Sequence, residues 1–177
     1  MGYYIQAYGV DSAKIKALWN SKDNDLYHQL TNDLREKFQE HDEWFDLDDN
    51  NDSSVILEDI INGVINHPKQ AYLYGYVYEN LCEKFGQHIH LHEDEIHLSY
   101  LEEVSTEYSA FIPIPFSNDF PHILSISNAD LEDRKMDFLD AEIDGYSEED
   151  QQLYMTHFRD IFDHVIAQKL DLVFFNY

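Results

Sequence analysis

The sequence predicts an α+β fold: a single domain, residues 1–177, mostly helical, with a small sheet that pairs the N- and C-terminal strands. Three observations carry this. A β-branched and aromatic run opens the chain (YYIQAYGV), another closes it (DLVFFNY), and between them apolar residues recur at four-residue steps typical of helices. Both terminal runs are apolar on both faces, so neither is suited to an exposed sheet edge, and pairing them in one sheet covers both.

In order, the strand at 3–9 leads to Asp11-Ser12, both good helix N-caps, and to a short helix over AKIKALWN. From Asp25, Leu26, Leu30, Leu34, Phe38 and Phe45 form the apolar stripe of one amphipathic helix of several turns. The acidic run DLDDNND at 46–52 ends it. Ser53-Ser54 then caps a helix with Val55, Ile56, Ile60, Val64 and Ile65 inside, stopped by His67-Pro68.

In AYLYGYVYENLCEKFG the tyrosines at 72, 74, 76 and 78 alternate as in a strand. Leu73, Val77, Leu81 and Phe85 favour a helix ending at a Gly86 cap, with Tyr74, Tyr78 and Cys82 inside and Glu79, Asn80, Glu83 and Lys84 outside. SYLEEVSTEY suggests a short helix, FIPIPF an extended segment, HILSIS a strand and Asn128 onward an acidic helix. Ser147-Glu-Glu-Asp150 opens a last helix with Tyr154, Phe158, Ile161, Phe162, Val165 and Ile166 inside, before the closing strand at 171–175.

The pieces Tyr74-Gly75-Tyr76 with Leu81-Cys82, then Tyr100-Leu101-Glu102-Glu103, PIPFSNDFPHI at 113–123 and DLVFF at 171–175 form an ordered set. The set resembles a family of small bacterial proteins known only as a domain of unknown function. The resemblance implies a bacterial cytosolic protein and carries no catalytic residues with it.

Composition narrows the function classes. With 44% hydrophobic and 15% aromatic residues, 177 residues suffice for one well-packed core that buries about 70% of the unfolded surface. The formal charge of −25 repels nucleic-acid phosphates and anionic membrane surfaces, so neither nucleic acid nor membrane is expected as a direct partner, and a basic protein is. The single cysteine, Cys82, the lack of a signal-like N-terminus and the lack of any apolar run near the ~18 residues of a membrane span point to the cytoplasm.

Residues 40–59 hold nine carboxylates and no Lys or Arg, and residues 130–150 hold ten against Arg134 and Lys135. Asp46, Asp48, Asp49 and Asp52 are the candidate partner-binding residues. The leading reading is a non-enzymatic protein-binding module, in its specific form an immunity-type inhibitor of a basic toxin, with no cofactor.

The alternative is a metal-dependent hydrolase centred on GQHIHLHEDEIH, with zinc or another divalent transition metal on His88, His90, His92 and His97. On a strand at 88–92 the first three share one face. Same-face neighbours lie about 6.6 Å apart and the outer pair about 13 Å, so a regular strand brings only two imidazoles to one ion. Without metal the histidines are expected to titrate near the ordinary value of about 6.5.

A calcium loop starting at Asp48 is degenerate, with Ser53 where the turn wants Gly and Asp59 where it wants a bidentate Glu. Cys82, on the apolar face of its helix, reads as a buried thiol.

Overall fold

The computed structural model describes residues 5–48, 51–90, 109–140 and 147–177. They form a four-stranded antiparallel sheet of order β2-β1-β4-β3, with β1 at Ile5–Val10, β2 at Gly86–His88, β3 at His122–Ile126 and β4 at Asp171–Asn176. β1 and β4, the two terminal strands, are paired from Ile5↔Asn176 to Val10↔Asp171 and occupy the interior of the sheet. That position explains why both are apolar on both faces. The helix suggested at SYLEEVSTEY lies outside the described residues.

Strand alternation sorts the side chains into two cores. Tyr8, Val10, Ile123, Val173 and Phe175 meet the larger helical layer: α1 (Ser12–Leu18), α2 (Asn24–Asp33), α3 (Arg35–Trp44), α4 (Ser53–Asn62) and α5 (Ala71–Phe85). Ala7, Leu124, Ile126, Leu172 and Phe174 meet α6 (Leu131–Asp140) and α7 (Glu148–Gln168). On that second face Phe138, Phe158, Phe162 and Phe174 make mutual ring contacts at 5.1–6.2 Å, within the range of favourable aromatic pairs. α7 begins at the expected cap, the Ser147 hydroxyl accepting the Asp150 N–H at 3.1 Å.

Four local expectations are corrected. The helix from Asp25 is two helices, α2 and α3, meeting at Leu34 (φ −101°, ψ 7°), although the Leu34 and Phe38 amides still reach back four residues to carbonyls. Asn32, whose amide nitrogen donates to the His28 carbonyl and whose side-chain oxygen accepts from Arg35, supplies the local competition that disturbs a helix interior. The apolar stripe survives the kink, with Leu30, Leu34 and Phe38 all buried.

The cap of α4 is Asp52, not Ser53-Ser54: its carboxylate accepts the Val55 N–H at 3.0 Å. The helix stops at Gly63 in the left-handed conformation (φ 68°), five residues before Pro68, so Val64 and Ile65 fall outside it and are exposed. Extended Gly86 opens β2 rather than capping α5 in the left-handed form. A Cβ there would lie 2.4 Å from the Gly9 carbonyl oxygen, so the close approach of backbones selects glycine.

The fourth correction bears on function. α5 was expected to keep Glu79 and Asn80 outside, yet it is the central helix, covered by the sheet on one side and by α1, α3 and α4 on others. Asn80 is buried, and Glu79 is partly buried against the sheet. Among the described residues no helix is long and apolar enough to cross a membrane.

Candidate protein-binding face

α3 buries Leu34 and Phe38 and leaves Glu36, Glu40 and Glu43 exposed. Its end is fastened by Asp42, which accepts the Ser53 amide at 2.9 Å and the Ser53 hydroxyl at 2.7 Å, fixing α3 to the start of α4. Asp46 follows in the left-handed region (φ 52°), which its short polar side chain tolerates. The Asp48 carboxylate accepts from the Asn51 side-chain amide at 2.8 Å, and its carbonyl accepts the Asn51 amide N–H at 2.9 Å.

The acidic segment therefore divides by task. Asp46 and Asp48 are exposed, Asp52 is occupied in capping α4, and Asp49 lies outside the described residues. The calcium reading loses its last ligand too, because Asp59 faces the interior at 3% exposure. There it accepts the Asn66 amide and side-chain N–H groups, both at 2.8 Å, the Tyr74 hydroxyl, and a contact from His67 Nδ1 at 2.9 Å. Burial pushes its carboxyl up, but the hydrogen bonds from Tyr74, His67 and Asn66 outweigh it and hold the group below the ordinary carboxylate range.

In the middle of the exposed carboxylates stands Trp44, 60% exposed. Its ring stacks on Phe45 (centroids 5.4 Å, 14° between planes) and meets Tyr76 edge-on at 6.1 Å. Phe45 in turn packs on Tyr72 at 4.9 Å and Tyr76 at 5.1 Å, and Tyr76 touches Tyr177 at 5.6 Å. The surface indole is thus rooted through Tyr76 in the core. His41 packs on Tyr76 at 5.0 Å; burial pushes its imidazole below the ordinary value against the pull of Glu40 and Asp42, so it brings no positive charge to the face at neutral pH.

Sequence reading missed Trp44. The signal was its phase: six residues after Phe38, it falls off the apolar stripe of its helix and among carboxylates.

Behind Tyr177 lies a second centre. Tyr8 donates to Glu79 Oε1 at 2.9 Å and Tyr177 donates to Oε2. Burial raises the Glu79 carboxyl above its ordinary range, the two hydroxyls and Lys37 oppose this, and Glu83 adds to it. Lys37 itself is ion-paired with Glu83. Burial and then Glu79 push the Tyr8 hydroxyl far above the ordinary phenol value, so it stays protonated and donating. Both carboxylate oxygens are occupied by hydroxyls, which makes the cluster a tie between α5, β1 and the residue after β4.

Of the histidine segment, His88 closes β2 opposite Tyr8, and His90 lies beyond the strand; both are exposed. The expected strand at 88–92 therefore contains only His88 among the described residues, the ladder reaching one residue further through the Ile89 amide to the Ala7 carbonyl at 2.8 Å. His92 and His97 lie outside the described residues. His88 Nε2 is hydrogen-bonded to Gln6 Oε1, its ring packs on Tyr8 at 5.1 Å and on His90 at 5.8 Å. Although the residue is exposed overall, partial burial of its ring, then the neighbouring His90, lower the His88 imidazole, correcting the expectation of ordinary titration for this residue. Among the described residues no three His, Cys, Asp or Glu side chains are grouped so as to hold a metal ion. Cys82 is fully buried, and burial pushes its thiol well up.

Set against known proteins, the whole chain, residues 1–177, matches the family model described as Domain of unknown function (DUF7691). No curated protein and no solved structure matches.

Proposed function

The chain belongs to this family of unknown function, and we propose that it is a non-enzymatic module that binds a basic protein through α3 and the turn into α4. The observation that carries the reading is the run of exposed carboxylates Glu36, Glu40, Glu43, Asp46 and Asp48 that flanks an exposed Trp44 along the chain, all but Glu36 within a stretch from residue 38 to 68 without Lys or Arg. Interfaces place a large aromatic anchor inside a polar rim, and an acidic field accelerates encounter with a basic partner.

The other polar clusters support a binding role by being spent on structure. Asp59 holds the chain after α4, Glu79 holds the sheet, and the Cys82 thiol is sealed in the core. In its specific form the proposal is an immunity-type protein whose acidic face covers a basic toxin.

The test is capture from the native host with wild type and with a Glu40→Gln/Glu43→Gln/Asp46→Asn variant. The reading expects a basic protein retained by wild type, released by salt and lost by the variant. Its immunity form further expects that protein to arrest growth when expressed alone and not when co-expressed with this chain. A partner held equally by the variant sinks the proposed face.

A further inference from the structure

We propose that Trp44 is an arginine-recognition point: its open indole face takes one guanidinium of the basic partner while Glu40, on the same helix ridge, receives its N–H groups. The inference rests on the basic-partner reading above and deepens it by naming the group recognised.

The argument begins with the ring's setting. Phe45 lies nearly parallel to the indole, at 14°, and covers one of its faces; Tyr76 meets it at 69°, edge-on. The ring is 60% exposed even so. A tryptophan held by two aromatic neighbours presents a flat, electron-rich surface without having to be ordered on binding, which removes part of the entropic cost of association. Cations are attracted to that surface, and tryptophan is the strongest of the aromatic rings in this respect.

The carboxylates then decide which cation. Glu40 stands four residues before Trp44 on α3, so the two side chains rise from the same ridge of the helix, and both are exposed; Glu43, the adjacent residue, leaves the helix in another direction and adds only its charge to the field. A planar guanidinium stacks flat on an indole and still points N–H groups outward, in its own plane, toward carboxylates at the ring's edge. An ammonium is a compact, strongly hydrated charge that cannot stack and bridge in the same way. Lys37, on the same helix, does not compete, because it is engaged by Glu83 on α5. His41, on the same helix, is turned onto Tyr76 at 5.0 Å, and burial lowers its imidazole, so it brings no competing positive charge at neutral pH.

The experiment uses the full chain and two synthetic peptides of equal length and charge, one with arginines spaced by Gly-Ser and one with lysines at the same positions. Binding is read from tryptophan fluorescence in a Trp19→Phe background, leaving Trp44 as reporter, and by calorimetry for Trp44 variants. The expected result is tighter binding of the arginine peptide by about 5- to 10-fold, the size of one exposed cation–π contact with its hydrogen bonds. Trp44→Ala removes the preference while leaving the weaker, salt-sensitive lysine binding in place, and Glu40→Gln reduces it. Because Trp44 is mostly exposed, an unchanged melting curve should confirm that the variant is folded.

Equal affinity for the two peptides, or a preference that survives Trp44→Ala, overturns the arginine site and leaves the basic-partner reading standing. Failure of both peptides to bind at low salt overturns the basic-partner reading itself.

Discussion

Tyr177 donates its hydroxyl to Glu79, a carboxylate 98 positions earlier in the chain, and Tyr8 donates to the other oxygen of the same group. The central helix is thereby tied to β1 and to the residue that follows β4, the two strands whose pairing forms the middle of the sheet. A carboxylate serves here because it accepts from two hydroxyls at once, and its cost is the partial burial of a charge.

That cost fixes a pH dependence. Burial raises the Glu79 carboxyl in the folded protein, so the native state holds the proton more readily than the unfolded chain. Its contribution is therefore most favourable below the ordinary carboxylate value and is lost as pH rises through the raised native value. Glu79→Gln should accordingly gain stability relative to wild type as pH rises from the ordinary carboxylate value to neutrality, in urea unfolding. Tyr177→Phe, which removes a donor to the charged form, should cost about 1–3 kcal/mol at neutral pH and less in acid. Parallel pH profiles for Glu79→Gln and wild type would show that Glu79 titrates alike in both states.

Asp59 is expected to show the opposite sign. Its carboxyl is held below the ordinary range despite burial, so it contributes stability above the unfolded value that disappears as pH falls through the native one. Asp59→Asn keeps the shape but turns an amide toward the donors from Asn66, His67 and Tyr74, and should cost about 2–4 kcal/mol at pH 7. The loss should shrink on acidification in denaturant titrations. A cost independent of pH would mean that shape, not charge, is what the site requires.

How far the sequence discloses these features follows from the range of the interaction responsible. β1, β4, α5 and α7 are legible because periodicity records which faces are buried, and Phe158, Phe162, Phe174 and Phe175 are core residues by that rule. The stop of α4 was legible in principle at Gly63, but the proline at 68 drew the boundary. The kink at Leu34 was not, since the apolar stripe runs through it unchanged. Glu79 was assigned outward because a charged residue on an otherwise apolar helix is ordinarily the solvent side. The distant Tyr8 and Tyr177 hydroxyls, with Lys37, are what stabilise it in its inward position. The candidate face was legible as charge and not as an aromatic anchor: Asp46 and Asp48 are on it, Asp52 is a cap, and Trp44 is the residue that the charge count concealed.

The acidic surface should make stability rise with monovalent salt at neutral pH. Four lysine–carboxylate pairs are made among the described residues, at Lys14–Asp11, Lys37–Glu83, Lys84–Asp33 and Lys135–Asp163, and none involves residues 40–59. Surface pairs contribute about 0–1 kcal/mol each, so weakening them costs little. Screening over a Debye length of about 10 Å at 0.1 M meanwhile relieves repulsion across a chain of net charge −25. Melting temperature measured against sodium chloride should climb, and the Glu40→Gln/Glu43→Gln/Asp46→Asn variant should start higher and climb less. A flat curve for wild type would indicate carboxylates already compensated by fixed local partners.

Untagged protein dialysed against zinc should retain no stoichiometric metal by elemental analysis, and changing His88 and His90 to Ala should leave that result unaltered. The geometry is the reason. His88 Nε2 is engaged by Gln6, and the rings of His88 and His90 pack at 5.8 Å with 30° between their planes. A closed tetrahedral site instead needs four ligands converging on one point. The acid response provides a second reading of the same pair. Burial and the adjacent His90 lower the His88 imidazole, so protonating it costs more in the folded than in the unfolded chain. Stability should fall as pH drops from the ordinary imidazole value of about 6.5 toward the native one, and His88→Gln should lose that part of the slope. Zinc bound one to one, lost together with His88 and His90, would replace this account with a metal site and bring the hydrolase reading forward.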